Sequence, residues 1–407
     1  MSVTEPIEDT VLRPTDEAGV VEAVRWAIET GSPLDVRGHG SKAGLGRATQ
    51  TRATLDMSRL SGVTLYEPEE LVLSARAGTP IAEIEELLAA NGQEMQFEPM
   101  DYGPLHGGER GRGTIGGVIA CNLSGPRRLK AGAARDHVLG VRVVTGRGKA
   151  IKSGGRVVKN VTGYDLSKGV TGAYGTLGVL TEVTIKVLPK AESETTLVLR
   201  GLDAEAATAA MASAMGSSAE VSGAAFLPDD LIERVGGGIS GSASAVLLRV
   251  EGFPTSIAYR TETLETLLGG EIERIEGEAS HALWRGVRDV VPFADETMQP
   301  VWRVSVAPTQ GWRVARALKD VADSFLDWQG GLVWLRMRGD AEATRVRETV
   351  TKCGGGHATL VRADTATRAS VPVFEPQPAP LAALSARLKT QFDPQGILNP
   401  GRMVAGS

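Results

Sequence analysis

A glycine-rich stretch at residues 113–125 carries the residue types that bind phosphate groups. Its first five residues are Gly113, Thr114, Ile115, Gly116 and Gly117, and it closes at Gly125. Thr114 can cap a helix, and glycines hold no side chain between the backbone and a ligand. A helix that begins here would direct free N–H groups and its positive dipole end at a phosphate or diphosphate. The same pattern also fits a glycine-rich turn that packs a short buried helix against a sheet.

A second glycine-rich loop follows a short apolar run at residues 33–36, which is typical of a strand. The loop residues are Arg37, Gly38, His39, Gly40, Ser41 and Lys42. Backbone N–H groups, a hydroxyl and cations in one loop suit an anion. The glycine spacing differs from that of a Rossmann dinucleotide loop, and the Gly-Lys-Ser/Thr of a Walker A loop is missing. Two phosphate-type loops outside both motifs indicate a less common nucleotide-binding fold.

The composition narrows the class of protein. The chain has 407 residues, of which 42% are hydrophobic, and a net charge of −5. These values predict a large core in two or three lobes and give no reason to expect nucleic-acid binding. Residues 1–10 contain three acids and no apolar run. We therefore expect no secretory signal, no membrane-spanning segment and a cytoplasmic location.

Metal chemistry has no support in the sequence. The two cysteines, Cys121 and Cys353, cannot by themselves ligate an iron–sulfur cluster or a structural zinc ion. Cys121 lies in the apolar part of the first glycine-rich stretch and is predicted to be a buried structural thiol. The five histidines form no zinc motif. We expect no metal site.

Apolar periodicity predicts the elements that position the two loops. Helices are predicted at 17–30, behind a cap at Asp16, and at 81–88, and strands at 33–36, 71–77, 138–145 and 183–187. Strand–helix alternation of this kind favours an α+β or α/β lobe. A second α+β lobe over roughly 190–370 is predicted from strands at 245–250, 302–306 and 332–337 and helices at 203–220, 256–268 and 312–326. A proline-rich linker at 371–380 then leads to a closing helix at 381–392.

Four segments, in this order, resemble the FAD-binding enzymes of the vanillyl-alcohol oxidase (PCMH-type) superfamily. They are residues 37–41, 113–117, 175–182 and the tail 392–402, which reads Phe-Asp-Pro-Gln-Gly-Ile-Leu-Asn-Pro-Gly-Arg. Within that superfamily the chain is most similar to the family of FAD-binding E subunits of glycolate oxidase. The residues that support this are Arg127, Arg128, Gly132, Arg135, Asp136, Gly140 and the run 158–166.

The resemblance implies a two-lobed FAD-binding domain over residues 1–190, an inserted α+β cap over 191–375 and a C-terminal segment, 376–407, that returns to the FAD domain. Arg37 to Lys42 and Gly113 to Gly117 would hold the FAD diphosphate. Five further residues would lie along the adenosine or the flavin: Gly125, Gly175, Leu177, Gly178 and Val179. Ile115, Val118, Leu177 and Val179 are expected to supply apolar walls. Relatives with covalently attached flavin carry a histidine where this chain has Ser41, so non-covalent FAD is expected.

The resemblance also implies partners. The metal signature His-Gly-x-Gly-Asp-Gly-Asn-Leu-His of the fuller 2-hydroxyacid dehydrogenases does not occur in this chain. A second flavin subunit that oxidises the substrate and an iron–sulfur subunit leading towards quinone are therefore expected. The complex could bring the chain to the inner membrane without a membrane span.

Oxidation of a small 2-hydroxy acid needs a cation for the carboxylate and a base for the hydroxyl proton. On a helix, His281 and Arg288 would share one face and could fill these roles, but they could equally be a cap and a solvated arginine. Tyr164 is an alternative site residue, or a structural hydroxyl. Three functions stay open: an FAD-binding subunit of a glycolate oxidase complex, an autonomous FAD-dependent 2-hydroxyacid dehydrogenase, and a non-catalytic scaffold subunit with structural or no flavin.

Overall fold

The computed structural model describes residues 10–157, 163–295 and 297–406. Residues 158–162 of the family-like run 158–166 therefore lie outside the described residues, as do the first nine residues. The described parts contain four sheets, two of which build most of the N-terminal half. The first is a parallel sheet whose strands lie in the order Thr10–Leu12, Ala53–Asp56, Leu34–Arg37. Leu398, from the C-terminal segment, bridges to Leu34 in parallel.

The second sheet is antiparallel and has five strands. Their order is Val63–Glu67, Val72–Arg76, Val179–Lys186, Val138–Val144, Ala150–Gly154. The strand Val179–Lys186 is central and six of its eight residues are buried, which explains its nearly continuous β-branched and apolar sequence. A short pair, Gln93–Glu94 with Leu188–Pro189, lies beside this sheet.

Caps fix the helices that pack against these sheets. The helix Glu17–Thr30 begins where Asp16 Oδ1 accepts the N–H of Gly19 at 2.8 Å, and it ends at Gly31 in the left-handed conformation. The helix Ile115–Cys121 begins where Thr114 Oγ1 accepts the N–H of Gly117 at 3.2 Å. Both predicted caps are confirmed. The other helices of this half are Ile81–Ala89, Arg128–Ala131, Ala134–His137 and Leu166–Val170.

The C-terminal half is built on an eight-stranded antiparallel sheet. The strand order is Ile272–Glu276, Ser193–Arg200, Ala245–Gly252, Gly223–Leu227, Ala322–Asp327, Leu332–Met337, Val301–Val306, Gly356–Arg362. The helix predicted at 312–326 is wrong in its second half. It ends at Ala317, and Ala322–Asp327 is a strand because Phe325 and Leu326 pair with strand Leu332–Met337 on one side while Phe226 bridges from the other.

The two faces of this large sheet pack against different partners. Helices cover one face: Ala204–Met215, Pro254–Leu268, Gly311–Ala317 and Ala343–Lys352. The other face carries Val301, Phe325 and Trp334, which join one hydrophobic core with Phe97 and Leu105 of the N-terminal half. Burial of this second face ties the two halves together.

The chain then returns to the N-terminal half. After the helix Thr365–Ser370 and a proline-containing stretch, the helix Ala379–Phe392 leads to Ile397 and Leu398, which are buried in the core around the parallel sheet. The fold is the predicted α+β arrangement. The large sheet and its helices fall between residues 193 and 362, in keeping with predicted boundaries at 190 and 375. Those boundaries remain a prediction.

Candidate functional site

The first glycine-rich loop leaves the strand Leu34–Arg37 and turns across the N-terminal half. Gly40 and Gly46 adopt positive φ values of 80° and 88°, which glycine accepts without strain. The N–H groups of Gly40, Ser41 and Lys42 donate to no acceptor in the part of the chain that the structure describes. The loop therefore offers a row of backbone donors to a ligand.

Lys42 adds a cation to this row. Its Nζ donates to Ser41 Oγ at 3.1 Å, and no described carboxylate lies within ion-pair distance of it. Burial lowers the pKa of Lys42 because the ammonium loses water. A buried cation without a counter-ion is a site for an anion.

The second glycine-rich stretch meets the loop at Gly117. A Cβ atom on Gly117 would lie 2.9 Å from Lys42 Cε and 3.2 Å from Lys42 Nζ, so any side chain here would displace the lysine. Gly116 has a different role, since its Cβ would lie 2.7 Å from that of Ala77. Gly117 keeps the cleft open, and Gly116 lets the helix pack on the neighbouring turn.

The expected free N–H groups at the start of this helix are not available. The first three all have protein acceptors: Thr79 O for Ile115 at 3.0 Å, Ala77 O for Gly116 at 2.9 Å and Thr114 Oγ1 for Gly117 at 3.2 Å. The sequence could not show this, because Ala77 and Thr79 belong to a segment about 35 residues away. The unpaired N–H groups beside the cleft lie in the first loop, next to Lys42, instead.

The C-terminal segment forms one side of the same site. Asn399 Oδ1 accepts the N–H of Val36 at 2.8 Å, and Asn399 Nδ2 donates to Tyr174 O at 2.8 Å. Arg402 donates to Asp35 Oδ1 at 2.6 Å and to Leu45 O at 3.0 Å. The tail motif at 392–402 thus positions the strand and the loop that precede the cleft. Asn399 and Arg402 were missing from the predicted site, although their motif was recognised.

The loops line an open cleft of about 110 Å³. Eleven of the predicted cofactor-binding residues line it: Arg37, Gly38, His39, Gly40, Ser41, Lys42, Thr114, Gly116, Gly117, Gly175 and Gly178. Its apolar walls come from Leu45, Met57, Ala77, Ala120 and Leu180. Cys121 also faces the cleft, and burial raises its pKa to about 11, so the thiol stays protonated.

Other predicted cofactor residues lie elsewhere. Ile115 is fully buried, and Val118, Leu177 and Val179 are core residues too, so they support the cleft from behind and do not form its walls. Gly113 does not line the cleft, although a Cβ atom on it would lie 3.9 Å from Lys42 Nζ; its carbonyl accepts the N–H of Ile81 at 2.9 Å. Gly125 lies at the junction with the large sheet, where its carbonyl accepts Trp328 Nε1 at 3.0 Å.

The predicted catalytic residues line no part of this cleft. His281 and Arg288, on the helix Gly277–Arg288, border a separate cavity. His281 Nδ1 lies 3.1 Å from Glu194 Oε2, and Arg288 Nε donates to Asp289 Oδ1 at 2.8 Å. Tyr164 is 93% exposed. Their catalytic roles stay predictions. Because these three residues do not line the cleft, other residues are better placed to act on a substrate there.

The separate cavity contains a cluster of charges that joins the two halves. Arg127 Nη1 lies 3.0 Å from Glu94 Oε2, and Arg127 Nε donates to Glu251 Oε1 at 3.0 Å. Arg249 donates to both carboxylate oxygens of Glu98, at 2.7 and 2.9 Å. Burial raises the pKa of Glu251, but the charges of Arg249 and Arg127 outweigh burial and lower it to about 2. These ion pairs tie the N-terminal half to the large sheet.

Comparison with known proteins assigns the family. Residues 9–154 match the family described as an FAD binding domain. The chain is 36% identical to the glycolate oxidase subunit GlcE of Escherichia coli (strain K12) over 397 residues, which cover 97% of this chain and 99% of that protein. The chain belongs to the GlcE family. Its members are FAD-dependent oxidoreductases, and FAD is the cofactor that the family binds.

More distant relatives share the fold over nearly the whole chain. The glycolate oxidase subunit GlcD of Bacillus subtilis (strain 168) is 25% identical over 98% of this chain and 89% of that protein. The 4-ethylphenol oxidase of Gulosibacter chungangensis superposes with a TM-score of 0.69 at 15% identity, covering 99% of this chain and 91% of that one. p-Cresol methylhydroxylase superposes with a TM-score of 0.68 at 14% identity, covering 97% and 88%. The PCMH-type fold is confirmed.

The cleft residues fit FAD. A diphosphate would accept hydrogen bonds from the unpaired N–H groups of the first loop and would pair with the charge of Lys42. His39 Nδ1 is buried and unpaired, so the loop also holds a polar atom in need of a partner. Among the described residues, no three metal-ligating side chains form a group that could hold an ion, and no helix is long and apolar enough to cross a bilayer.

Proposed function

We propose that this chain is the FAD-binding subunit of a glycolate oxidase, and that it takes part in the oxidation of glycolate to glyoxylate. The relative from Escherichia coli is named as a glycolate oxidase subunit, and the match covers 97% of this chain and 99% of that protein. The observation that carries the proposal is the unpaired Lys42 ammonium beside three free N–H groups, in a cleft whose glycines leave room for a diphosphate.

FAD, when bound, accepts the two electrons released as the hydroxy acid becomes an oxo acid. The residues of this chain bind and orient it. Lys42 and the loop 38–42 hold the diphosphate, and the apolar walls of Leu45 and Leu180 keep water from the cofactor. Ser41 occupies the position at which covalently flavinylated relatives carry histidine, so the attachment is non-covalent.

The electrons then leave through partners. With two cysteines the chain cannot build an iron–sulfur cluster of its own, and we infer an iron–sulfur subunit that receives electrons from the flavin. A second flavin subunit, of the GlcD type, would stand beside this chain in a cytoplasmic complex that can associate with the inner membrane. Affinity purification of the tagged chain from its own cells tests this: flavin and iron–sulfur absorbance should co-elute with glycolate-dependent reduction of a quinone.

A visible absorption spectrum of the purified chain separates the three candidate functions. Flavin released by denaturation confirms non-covalent FAD, and a protein that neither contains nor accepts FAD is a scaffold subunit. Anaerobic addition of glycolate then tests whether the isolated chain oxidises the substrate. Bleaching of the flavin shows an autonomous 2-hydroxyacid dehydrogenase, whereas flavin that stays oxidised until the partners are added supports the complex.

A further inference from the structure

A smaller cavity of about 40 Å³ opens behind the cofactor cleft, between the N-terminal half and the large sheet. Leu45, Cys121 and Tyr174 line both spaces, so the cavity continues the cleft inwards. Its volume suits a molecule of a few heavy atoms. A small substrate bound in this cavity would lie next to the cofactor cleft. Polar groups in the cavity would have to fix the orientation of that substrate.

The sheet supplies the cation of this cavity. Arg303 lies on the strand Val301–Val306, whose Trp302 and Val304 point into the helix-covered core. Because side chains alternate along a strand, Arg303 points the other way, towards the N-terminal half. Its cross-strand partners are Trp334 and Thr359, and Thr359 lines the same cavity.

The charge of Arg303 is not neutralised by the protein. Its guanidinium lies 4.8 Å from the centre of the Trp328 ring, and Arg128 lies over the same ring at 4.4 Å. In residues 10–157, 163–295 and 297–406, no carboxylate pairs with Arg303 and no acceptor takes its hydrogen bonds. Burial raises the pKa of nearby Asp327 to about 7, so that carboxyl does not supply a full counter-charge at neutral pH.

Hydroxyl groups complete the lining. Tyr102 and Tyr174 border the cavity, and neither side chain has a hydrogen-bond partner among the described residues. Burial raises the pKa of Tyr102 to about 12, so its hydroxyl remains a donor. Met100 and Val361 close the remaining wall with apolar atoms. One cation, hydroxyl donors and apolar walls in a small space match the chemistry of a short hydroxycarboxylate.

We propose that Arg303 binds the carboxylate of a small 2-hydroxy acid in this cavity, and that this chain therefore carries a substrate-binding site of its own. The inference rests on the proposed function and adds to it a specificity-determining residue. Arg303 would form the charged hydrogen bonds to the carboxylate, while Tyr102 lies within the same cavity to bind further oxygen atoms of the acid. Arg288 is not needed for this role.

Oxalate binding to the FAD-loaded chain tests the proposal without turnover, because oxalate has no α C–H bond to oxidise. The dissociation constant is measured by titration calorimetry for the wild type, Arg303→Gln and Arg303→Lys. We expect Arg303→Gln to weaken binding by tenfold or more and Arg303→Lys to restore part of it. Oxamide, the uncharged diamide of the same size, should bind weakly and equally to all three proteins.

Arg128→Gln is the matched control, since Arg128 stacks on the same indole but does not line the cavity. It should bind oxalate within twofold of the wild type. Equal losses in both arginine variants, or no oxalate binding by a wild-type chain that holds its FAD, would overturn the carboxylate site. Failure to bind FAD at all would instead overturn the proposed function, so the two failures are distinguishable.

Discussion

The side-chain amide of Asn399 accepts the backbone N–H of Val36 at 2.8 Å, across 363 residues of sequence. The same amide donates to Tyr174 O at 2.8 Å. One buried side chain of the C-terminal segment thus fixes both the strand that leads into the first glycine-rich loop and the turn before strand Val179–Lys186. The returning segment is therefore part of the candidate cofactor site.

Asn399→Ala should loosen that site. The substitution leaves the Val36 N–H and the Tyr174 carbonyl without partners, which predicts a loss of roughly 2–4 kcal/mol in the free energy of unfolding. FAD affinity should fall as well, because Val36 precedes the loop that we propose to hold the diphosphate. Urea unfolding and flavin fluorescence titration measure the two effects.

Asn399→Gly separates the hydrogen bonds from backbone strain. Asn399 has a φ of 44°, which glycine adopts freely and alanine does not. If the amide matters for FAD, the glycine variant should also bind it weakly, with a smaller loss of stability than the alanine variant. A glycine variant with wild-type FAD affinity would contradict this.

Gly117→Leu should abolish retention of FAD. The new side chain would collide with Lys42, since even a Cβ atom would lie 2.9 Å from Lys42 Cε. The ratio of flavin to protein absorbance after desalting measures the effect, and circular dichroism checks the fold. Gly339→Ala is the control, because a Cβ there meets nothing within 4 Å. Unchanged flavin content in Gly117→Leu would refute the placement of the diphosphate.

Much of the candidate cofactor site could be predicted from the sequence because its motifs are local. The loop at 37–42 and the helix capped by Thr114 each lie within a dozen residues, and the positions of glycine and a capping residue report directly on backbone geometry. Both segments line the cleft as expected.

The rest depends on contacts between distant segments. The N–H of Gly116 is paired because it donates to the carbonyl of Ala77, a residue far away in the sequence. The lining of the cavity behind the cleft depends on which face of its strand Arg303 occupies. The strand Ala322–Asp327 had been predicted as the end of a helix, because its pairing with two other strands overrides local propensity. Periodicity within one segment carries no information of this kind.

Lys42→Met should weaken FAD binding by about tenfold to a hundredfold, the value of one charged hydrogen bond. The pH dependence of binding tests the charge itself. Burial lowers the pKa of Lys42 in the free protein, and a bound diphosphate would raise it. Above the pKa of the free protein, binding must take up a proton, so affinity should fall as the pH rises in the wild type. Lys42→Met should lack this decline, and Lys149→Met, at an exposed position outside the cleft, should retain it.

Arg127→Met should destabilise the junction between the two halves, and the loss of stability should be largest at neutral pH. Arg127 lies among Glu94, Glu98 and Glu251, and its loss leaves buried carboxylates without their cation, at a cost of about 3–5 kcal/mol in the free energy of unfolding. The matched control is Lys130→Met, which breaks an exposed pair with Glu220 and should cost less than about 1 kcal/mol.

The loss in the free energy of unfolding caused by Arg127→Met should become smaller in acid, and the direction of this pH dependence follows from the pKa of Glu251. In the wild type its pKa is lowered to about 2 from an ordinary value of 4.5, so its stabilising effect is present above pH 4.5 and is lost between pH 4.5 and 2. Without Arg127 the carboxylates take up protons at higher pH, which removes their repulsion. Urea unfolding from pH 7 to pH 3 should therefore show the two proteins converging. A cost that stays constant across this range would mean that Arg127 stabilises the junction by packing and not by its charge.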